Sequence, residues 1–208
     1  MMTVADATVQ QGRVRPGHRG ENDSRMTAAD MIKVRRIHTG WTMPFEIERK
    51  FLVRSDAWRP LATERIQIRQ AYLATDGKAS VRVRIKDKGA TLTIKSRAPD
   101  RRRLELEYPI PVLEAEAAIA LRRGIVVEKV RYVVPHAGAA WEVDVFAGEN
   151  EGLILAEIEL RDEHQRIDLP IWAGPEVTGQ AQFYNSALSA CPFATWSHDR
   201  KRALSADG

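Results

Sequence analysis

FEIERKF, residues 45–51, alternates charged and apolar side chains. In a strand, successive side chains point to opposite faces, so Glu46, Glu48 and Lys50 share one face while Phe45, Ile47 and Phe51 share the other. The fold turns on which of these faces lies inside. Period-2 alternation continues through candidate strands at 44–53, 66–74, 79–87, 90–97, 103–111, 125–134, 139–147 and 153–161. Gly77, Gly89, Pro99, Gly138, Gly148 and Gly152 punctuate them, and VRVRIKDKGATLTIKS reads as a hairpin turning near Lys88 and Gly89. Helical windows are fewer: Val112 to Arg123 is rich in Ala, Glu and Leu, Asp56 to Leu61 reads as a turn, and Gln180 to Ala190 is amphipathic. The pattern predicts a mainly β (α+β) protein, eight short antiparallel strands that form a barrel or a strongly curved sheet, with a few helices.

The charges recur two residues apart and repeat one sign within a strand. Arg82, Arg84 and Lys86 form one set, and Lys95 shares a face with Thr91 and Thr93. Glu105 with Glu107, Lys129 with Arg131, Glu142 with Asp144 and Glu157 with Glu159 follow. A solvated sheet face explains most such alternation. Here, however, the positions are almost all charged, and like charges roughly 7 Å apart on one strand gain nothing from each other. With the charged face inward, Glu46, Glu48, Glu142, Asp144, Glu157 and Glu159 share a lumen with Lys50, Arg82, Arg84, Lys95, Lys129 and Arg131. Crowded carboxylates repel and raise one another's pKa values, which a divalent cation relieves; hard oxygen ligands suit Mg2+ or Mn2+. The clustered cations call for an anion with several charges. A metal-bridged polyphosphate meets both demands.

Bulk properties bound the alternatives. The chain has 208 residues and a formal charge of +4. Residues 1–42 hold seven Lys/Arg against four Asp/Glu, so most of the excess sits in a leader without sustained apolar period, expected to be disordered apart from a short helix at 28–36. The folded part is close to neutral, which argues against a nucleic-acid partner. A lone cysteine, Cys191, forms no disulfide within the chain. No run approaches the roughly 18 apolar residues of a membrane span, and no signal peptide is apparent. These features predict a cytoplasmic protein, a monomer or homodimer, with residues 1–42 as leader, 43–195 as the folded domain and 196–208 as a solvated tail. The five histidines are scattered, without zinc-site spacing, and no Walker or dinucleotide loop is present.

FEIERKFLV resembles the N-terminal Glu-x-Glu-x-Lys signature of the CYTH superfamily, the triphosphate tunnel metalloenzymes. The resemblance runs from about residue 44 to about 190 and includes RQAYLA, VRVRIK, LTIKS, LELEYPI, KVRY, WEVDVF, GLILAEIEL and EVTGQAQFYNSAL, in order. It implies an eight-stranded antiparallel closed barrel, a tunnel whose charged side chains point into the lumen. It further implies that Lys50, Arg82, Arg84, Lys95, Lys129 and Arg131 hold a triphosphate, and that Glu157 and Glu159, with Asp144, bind a first Mg2+ or Mn2+. Glu46 and Glu48 hold a second metal or orient the attacking water, and Tyr72 is the implied partner of Lys50. Arg200, Lys201 or Arg202 is a candidate for closing the tunnel.

The layout resembles the bacterial inorganic triphosphatase branch, which implies a metal-dependent hydrolase of tripolyphosphate. Thiamine triphosphatase and class IV adenylyl cyclase are alternatives within the same fold. A polyphosphate-binding module without catalysis is an alternative of a different class, and the acidic set weighs against it, because an anion binder gains nothing from carboxylates.

Overall fold

The computed structural model describes residues 45–96, 102–162 and 164–206; the leader and the helix expected at 28–36 lie outside them. The strands are β1 (Phe45–Val53), β2 (Glu64–Thr75), β3 (Ala79–Lys86), β4 (Gly89–Ser96), β5 (Arg102–Ile110), β6 (Arg123–His136), β7 (Ala139–Phe146), β8 (Ile154–Glu159) and β9 (Ala173–Glu176). All pair antiparallel in one sheet ordered β5-β4-β3-β2-β6-β7-β8-β1-β9, and β1 pairs in addition with β5 from Phe45↔Leu104 to Ile47↔Arg102. Three α-helices complete the fold: α1 (Val112–Ala120), α2 (Asn185–Ala190) and α3 (His198–Ala206). Among the described residues, no helix is long and apolar enough to cross a membrane.

All eight alternating segments form strands. The β3–β4 hairpin turns at Asp87–Lys88, one residue earlier than expected, with Asp87 at φ 47° and its Oδ1 accepting from the Gln67 amide at 3.1 Å. An aspartate tolerates this left-handed conformation better than most side chains. The ninth strand was not anticipated. Gly174 and Pro175 interrupt any alternation there, and the segment is strand only because it adds to the edge of β1, with Val53 opposite Ala173.

The apolar face of the sheet is covered in two places. Beneath α1, Ala115 and Ile119 meet Ala71, Val83, Ile85 and Ala90 of β2, β3 and β4. On β1, β7 and β8, Phe51, Trp141, Val143 and Ile158 pack with Trp58 and Trp172. The rings of Phe51 and Trp141 lie 5.4 Å apart and those of Trp141 and Trp172 5.5 Å apart. Burying an aromatic of this size contributes about 4–6 kcal/mol as an upper estimate.

A third cluster lies on the other face. Leu52, Val127, Phe146 and Leu155 each stand two residues from a charge of the alternating set: Lys50, Lys129, Asp144 and Glu157. They therefore share the charged face, and Phe183, Leu188 and Trp196 pack onto them. The charged face is thus apolar at one end, where the C-terminal segment covers it. The tail forms α3, whose residues are mostly exposed, and it is anchored at a few points. α3 carries Leu204 against this cluster, Arg200 lies 3.7 Å over the Trp196 ring, and Lys201 lies 4.9 Å over the Phe193 ring.

Gly124 sets how closely α2 can approach β6. Its φ is +74°, and a Cβ there would sit 2.2 Å from the Ser189 carbonyl oxygen. Ser189 Oγ donates at this crossing towards the Arg123 and Ile125 carbonyls. Gly138 has a similar φ of +77° but nothing within 4 Å of such a Cβ. Gly138→Ala is expected to cost only the left-handed conformation, about 1–2 kcal/mol. Gly124→Ala is expected to cost clearly more, because α2 must also move, and paired denaturant titrations would rank the two.

Candidate active site

The charged face is largely withdrawn from water, although Glu107 and Glu159 on it are exposed. Lys50, Arg82, Lys129, Arg131, Asp144 and Glu157 are all buried, Asp144 completely. In FEIERKF, Lys50 is therefore not in solvent. Glu48 is partly buried, and Glu46 is located by its backbone register alone, opposite Arg103.

Register explains how these residues meet. On β1 and β8, Lys50 stands opposite Glu157 and Glu48 opposite Glu159; on β7 and β8, Glu142 stands opposite Glu157; on β6 and β7, Arg131 stands opposite Asp144. Arg131 is the hub. Its Nε and Nη2 donate to Asp144 Oδ1 and Oδ2, both at 2.7 Å, Nη2 reaches Glu157 Oε2 at 2.9 Å, and Nη1 donates to Glu142. Lys50 Nζ donates to Glu157, and Lys129 Nζ to Asp144. A planar, permanently charged guanidinium suits this role, since its fork matches carboxylates on two strands at once.

A second cluster lies on β3, β4 and β5. Arg82 Nη2 donates to Thr93 Oγ1 at 3.1 Å and lies 3.6 Å from Glu105 and 3.7 Å from Glu107. Thr93 Oγ1 in turn donates to Glu107 at 3.0 Å, and Lys95 pairs with Glu105 at 3.3 Å. Arg84 Nε donates to Gln70 Oε1 at 3.1 Å.

The electrostatics follow from burial and neighbours. Burial pushes the Lys50 ammonium down, but Glu157, with Glu48 and Asp144, more than reverses this and leaves it above the usual lysine range. Burial opposes ionisation of Asp144 and Glu157, yet Arg131, Lys129 and, for Glu157, chiefly Lys50 hold both carboxyls below their usual values. Burial lowers Lys129 to about 8; Asp144 draws it up, while Arg131, which shares that carboxylate, presses it down. Arg84 is lowered to about 10 by burial and by the charges of Arg82 and Arg131. Lys129 and Arg84 are thus cations kept in surroundings that favour losing their charge.

The structure brings most of the expected residues together on one face. Lys50 takes Glu157 as its partner, and Tyr72 stands opposite Arg82 and Arg123, separated from β1 in the sheet order by β6, β7 and β8. Glu159 is exposed. Gln70 and Thr93, fully buried on this face, and Glu105 and Glu107, which hold Arg82 and Lys95, were not among the expected site residues. Parity was the available signal: Gln70 precedes Tyr72 by two, and Thr93 precedes Lys95 by two.

The carboxylates decide whether a divalent metal can be held. Among the described residues, no three His, Cys, Asp or Glu side chains gather closely enough to hold an ion by themselves. Mg2+ rarely uses such a cage; it binds through one or two carboxylates together with substrate phosphates. Glu48 and Glu159, like charges directly opposite on β1 and β8, form a pair of that kind, with Asp144 and Glu157 further along the face. The residues fit.

Asp144→Asn leaves Arg131 and Lys129 buried with half their compensation, an expected cost of about 3–5 kcal/mol. Asp144 and Glu157 have folded pKa values below their unfolded ones, so in acid the unfolded chain binds more protons. Their contribution is complete above about pH 5 and is lost as pH falls through the folded values. Unfolding free energies measured without divalent cations should decline from pH 6 to pH 3, and more shallowly in Asp144→Asn.

The CYTH domain model matches residues 44–188. The inorganic triphosphatase of Acetivibrio thermocellus is 46% identical over 149 residues, covering 71% of this chain and 95% of that protein. The inorganic triphosphatase of Nitrosomonas europaea is 37% identical over 150 residues, covering 69% and 96%. The crystal structure of the inorganic triphosphatase NE1496 superposes with a TM-score of 0.53 at 35% identity, covering 70% of this chain and 94% of that one. With the family model spanning well over half of its residues and this arrangement of strands and charges, the chain belongs to the CYTH domain family.

Proposed function

We propose that this chain is a Mg2+- or Mn2+-dependent triphosphatase that hydrolyses phosphoanhydride bonds of inorganic triphosphate inside a closed eight-stranded tunnel. One observation carries the reading. Among the described residues, four cations are buried, Lys50, Arg82, Lys129 and Arg131, against two buried carboxylates, Asp144 and Glu157. Unbalanced buried positive charge is costly, and a multiply charged anion relieves it. The pairing of β1 with β5 supports closure, because it joins the two members of the sheet order that an eight-stranded tunnel has to bring together. The names of the relatives support the substrate.

In this reading Lys50, Arg82, Arg84, Lys95, Lys129 and Arg131 hold the phosphoryl oxygens. Phosphoryl transfer depends on positioning and charge neutralisation, and these groups arrive preorganised, so little reorganisation is required when charge shifts in the transition state. Arg131 and Lys50 exchange part of their carboxylate contacts for phosphate as substrate enters. Glu46, Glu48, Asp144, Glu157 and Glu159 are the carboxylates available to the metal, with the facing pair Glu48 and Glu159 leading. When bound, the metal neutralises phosphoryl oxygens and lowers the pKa of water. Glu48 orients the attacking water; Tyr72 stands beside Arg82 and Arg123 and contributes on that side of the substrate.

Phosphate release from tripolyphosphate, ATP and thiamine triphosphate, with Mg2+, Mn2+ or EDTA, tests the reading. Metal-dependent release from tripolyphosphate, abolished by EDTA and reduced about 100-fold or more in Glu48→Gln and in Arg82→Ala, is the expected result. Tight tripolyphosphate binding without turnover would replace the enzyme with a sequestering module. Pyrophosphate formed from ATP would point to a cyclase.

A further inference from the structure

Gln70 is, with Thr93, a completely buried neutral polar residue on the charged face. It lies on β2, between Arg84 of β3 and Val127 of β6 in register. Its Oε1 accepts from Arg84 Nε, and its Nε2 has no hydrogen-bond partner among the described residues. The orientation of the amide is fixed by chemistry. A guanidinium nitrogen can only donate, so the oxygen must face Arg84 and the NH2 group must face away. One register step along, the Nε of Arg82 is likewise buried and without a partner.

Leaving a buried donor unpaired is expensive, and proteins retain such groups where a ligand supplies the acceptor. The two orphaned donors belong to neighbouring strands on the face where buried positive charge exceeds negative. Resting on the triphosphatase reading above, we propose that Gln70 is a substrate-binding and positioning residue. Its Nε2 donates to a non-bridging phosphoryl oxygen of the triphosphate, and its Oε1 aims the Arg84 guanidinium at the same phosphoryl group. An amide suits the position because it hydrogen-bonds the anion without adding a further positive charge to a face already crowded with Arg82, Arg84 and Arg131.

Three variants separate these roles. Gln70→Glu keeps an acceptor for Arg84 but loses the donor and sets a negative charge against the phosphate. Gln70→Met loses both groups while preserving apolar volume. Gln70→Asn keeps both groups on a shorter arm. Apo melting temperature, the melting shift induced by tripolyphosphate without metal, and KM and kcat with Mg2+ are measured for each.

The expected result is that Gln70→Met melts close to wild type in the apo form, because removing the unsatisfied Nε2 offsets the loss of the acceptor for Arg84 Nε. The same variant loses about 10- to 100-fold in tripolyphosphate affinity, as does Gln70→Glu by at least as much, with Gln70→Asn intermediate. A purely structural Gln70 predicts wild-type tripolyphosphate affinity, or a tripolyphosphate-induced melting shift equal to that of wild type, in any variant that folds. Either of those findings overturns the assignment. If wild type itself neither binds nor cleaves tripolyphosphate, the triphosphatase reading falls and takes the assignment with it. If wild type does both and Gln70→Glu and Gln70→Met match its affinity, only the assignment of Gln70 falls.

Discussion

The contact between Arg131 and Asp144 is the constraint on which the rest of the structure depends. Asp144 has no exposure to water, and Arg131 meets it through two hydrogen bonds while also reaching Glu142 and Glu157. Lys129 and Lys50 close the network on either side. Four strands, β6, β7, β8 and β1, are thereby locked in one register, since a slip of a single residue would turn each charge to the opposite, apolar face. Buried ion pairs seldom stabilise a fold over apolar packing, because desolvation offsets most of the attraction. Their persistence here, in a chain that packs its other face with Trp58, Trp141 and Trp172, is what a charged binding site requires and what stability alone does not.

The same network defines the resting state of the site. Most of the cations that would receive a phosphoryl oxygen already hold a carboxylate: Lys50 has Glu157, Lys95 has Glu105, and Arg82 lies near Glu105 and Glu107, while Arg84 holds the Gln70 amide. Such internal partners keep the cations oriented and ionised until an anion arrives. They also mean that affinity is set by exchange of partners, so a variant at Glu105 or Glu142 alters binding through the cation it releases.

Much of this was legible in the sequence. Period-2 alternation located all eight long strands, and repetition of one sign within each strand identified a charged face that water alone does not explain. What alternation does not carry is register. That Lys50 stands opposite Glu157 depends on which strand neighbours β1, and that strand is β8, far along the chain. Neutral members of the site were hidden for another reason. Gln70 and Thr93 carry no charge to mark them, and only their parity with Tyr72 and Lys95 connects them to the face. β9 escaped because Gly174 and Pro175 have little strand preference of their own; the β1 edge imposes the conformation. In α3, the sequence HDRKRALSA reads as polar throughout, and the aromatic rings of Phe193 and Trp196 that seat its arginine and lysine lie just before it.

The strand order also has a consequence for how the chain is made. β1 is the first described strand to leave the ribosome, yet its longest ladder is with β8, and Lys50 and Glu157 stand 107 residues apart. Contacts of such separation delay folding, because loop-closure entropy is spent before any pairing is gained. Throughout synthesis of the intervening strands, the backbone edges of β1 are open to any other extended chain. Glu46, Glu48, Arg49 and Lys50 crowd this waiting strand with charge, which disfavours pairing with a second copy of itself. The charges that would serve the site would thus also keep the nascent strand from pairing with copies of itself.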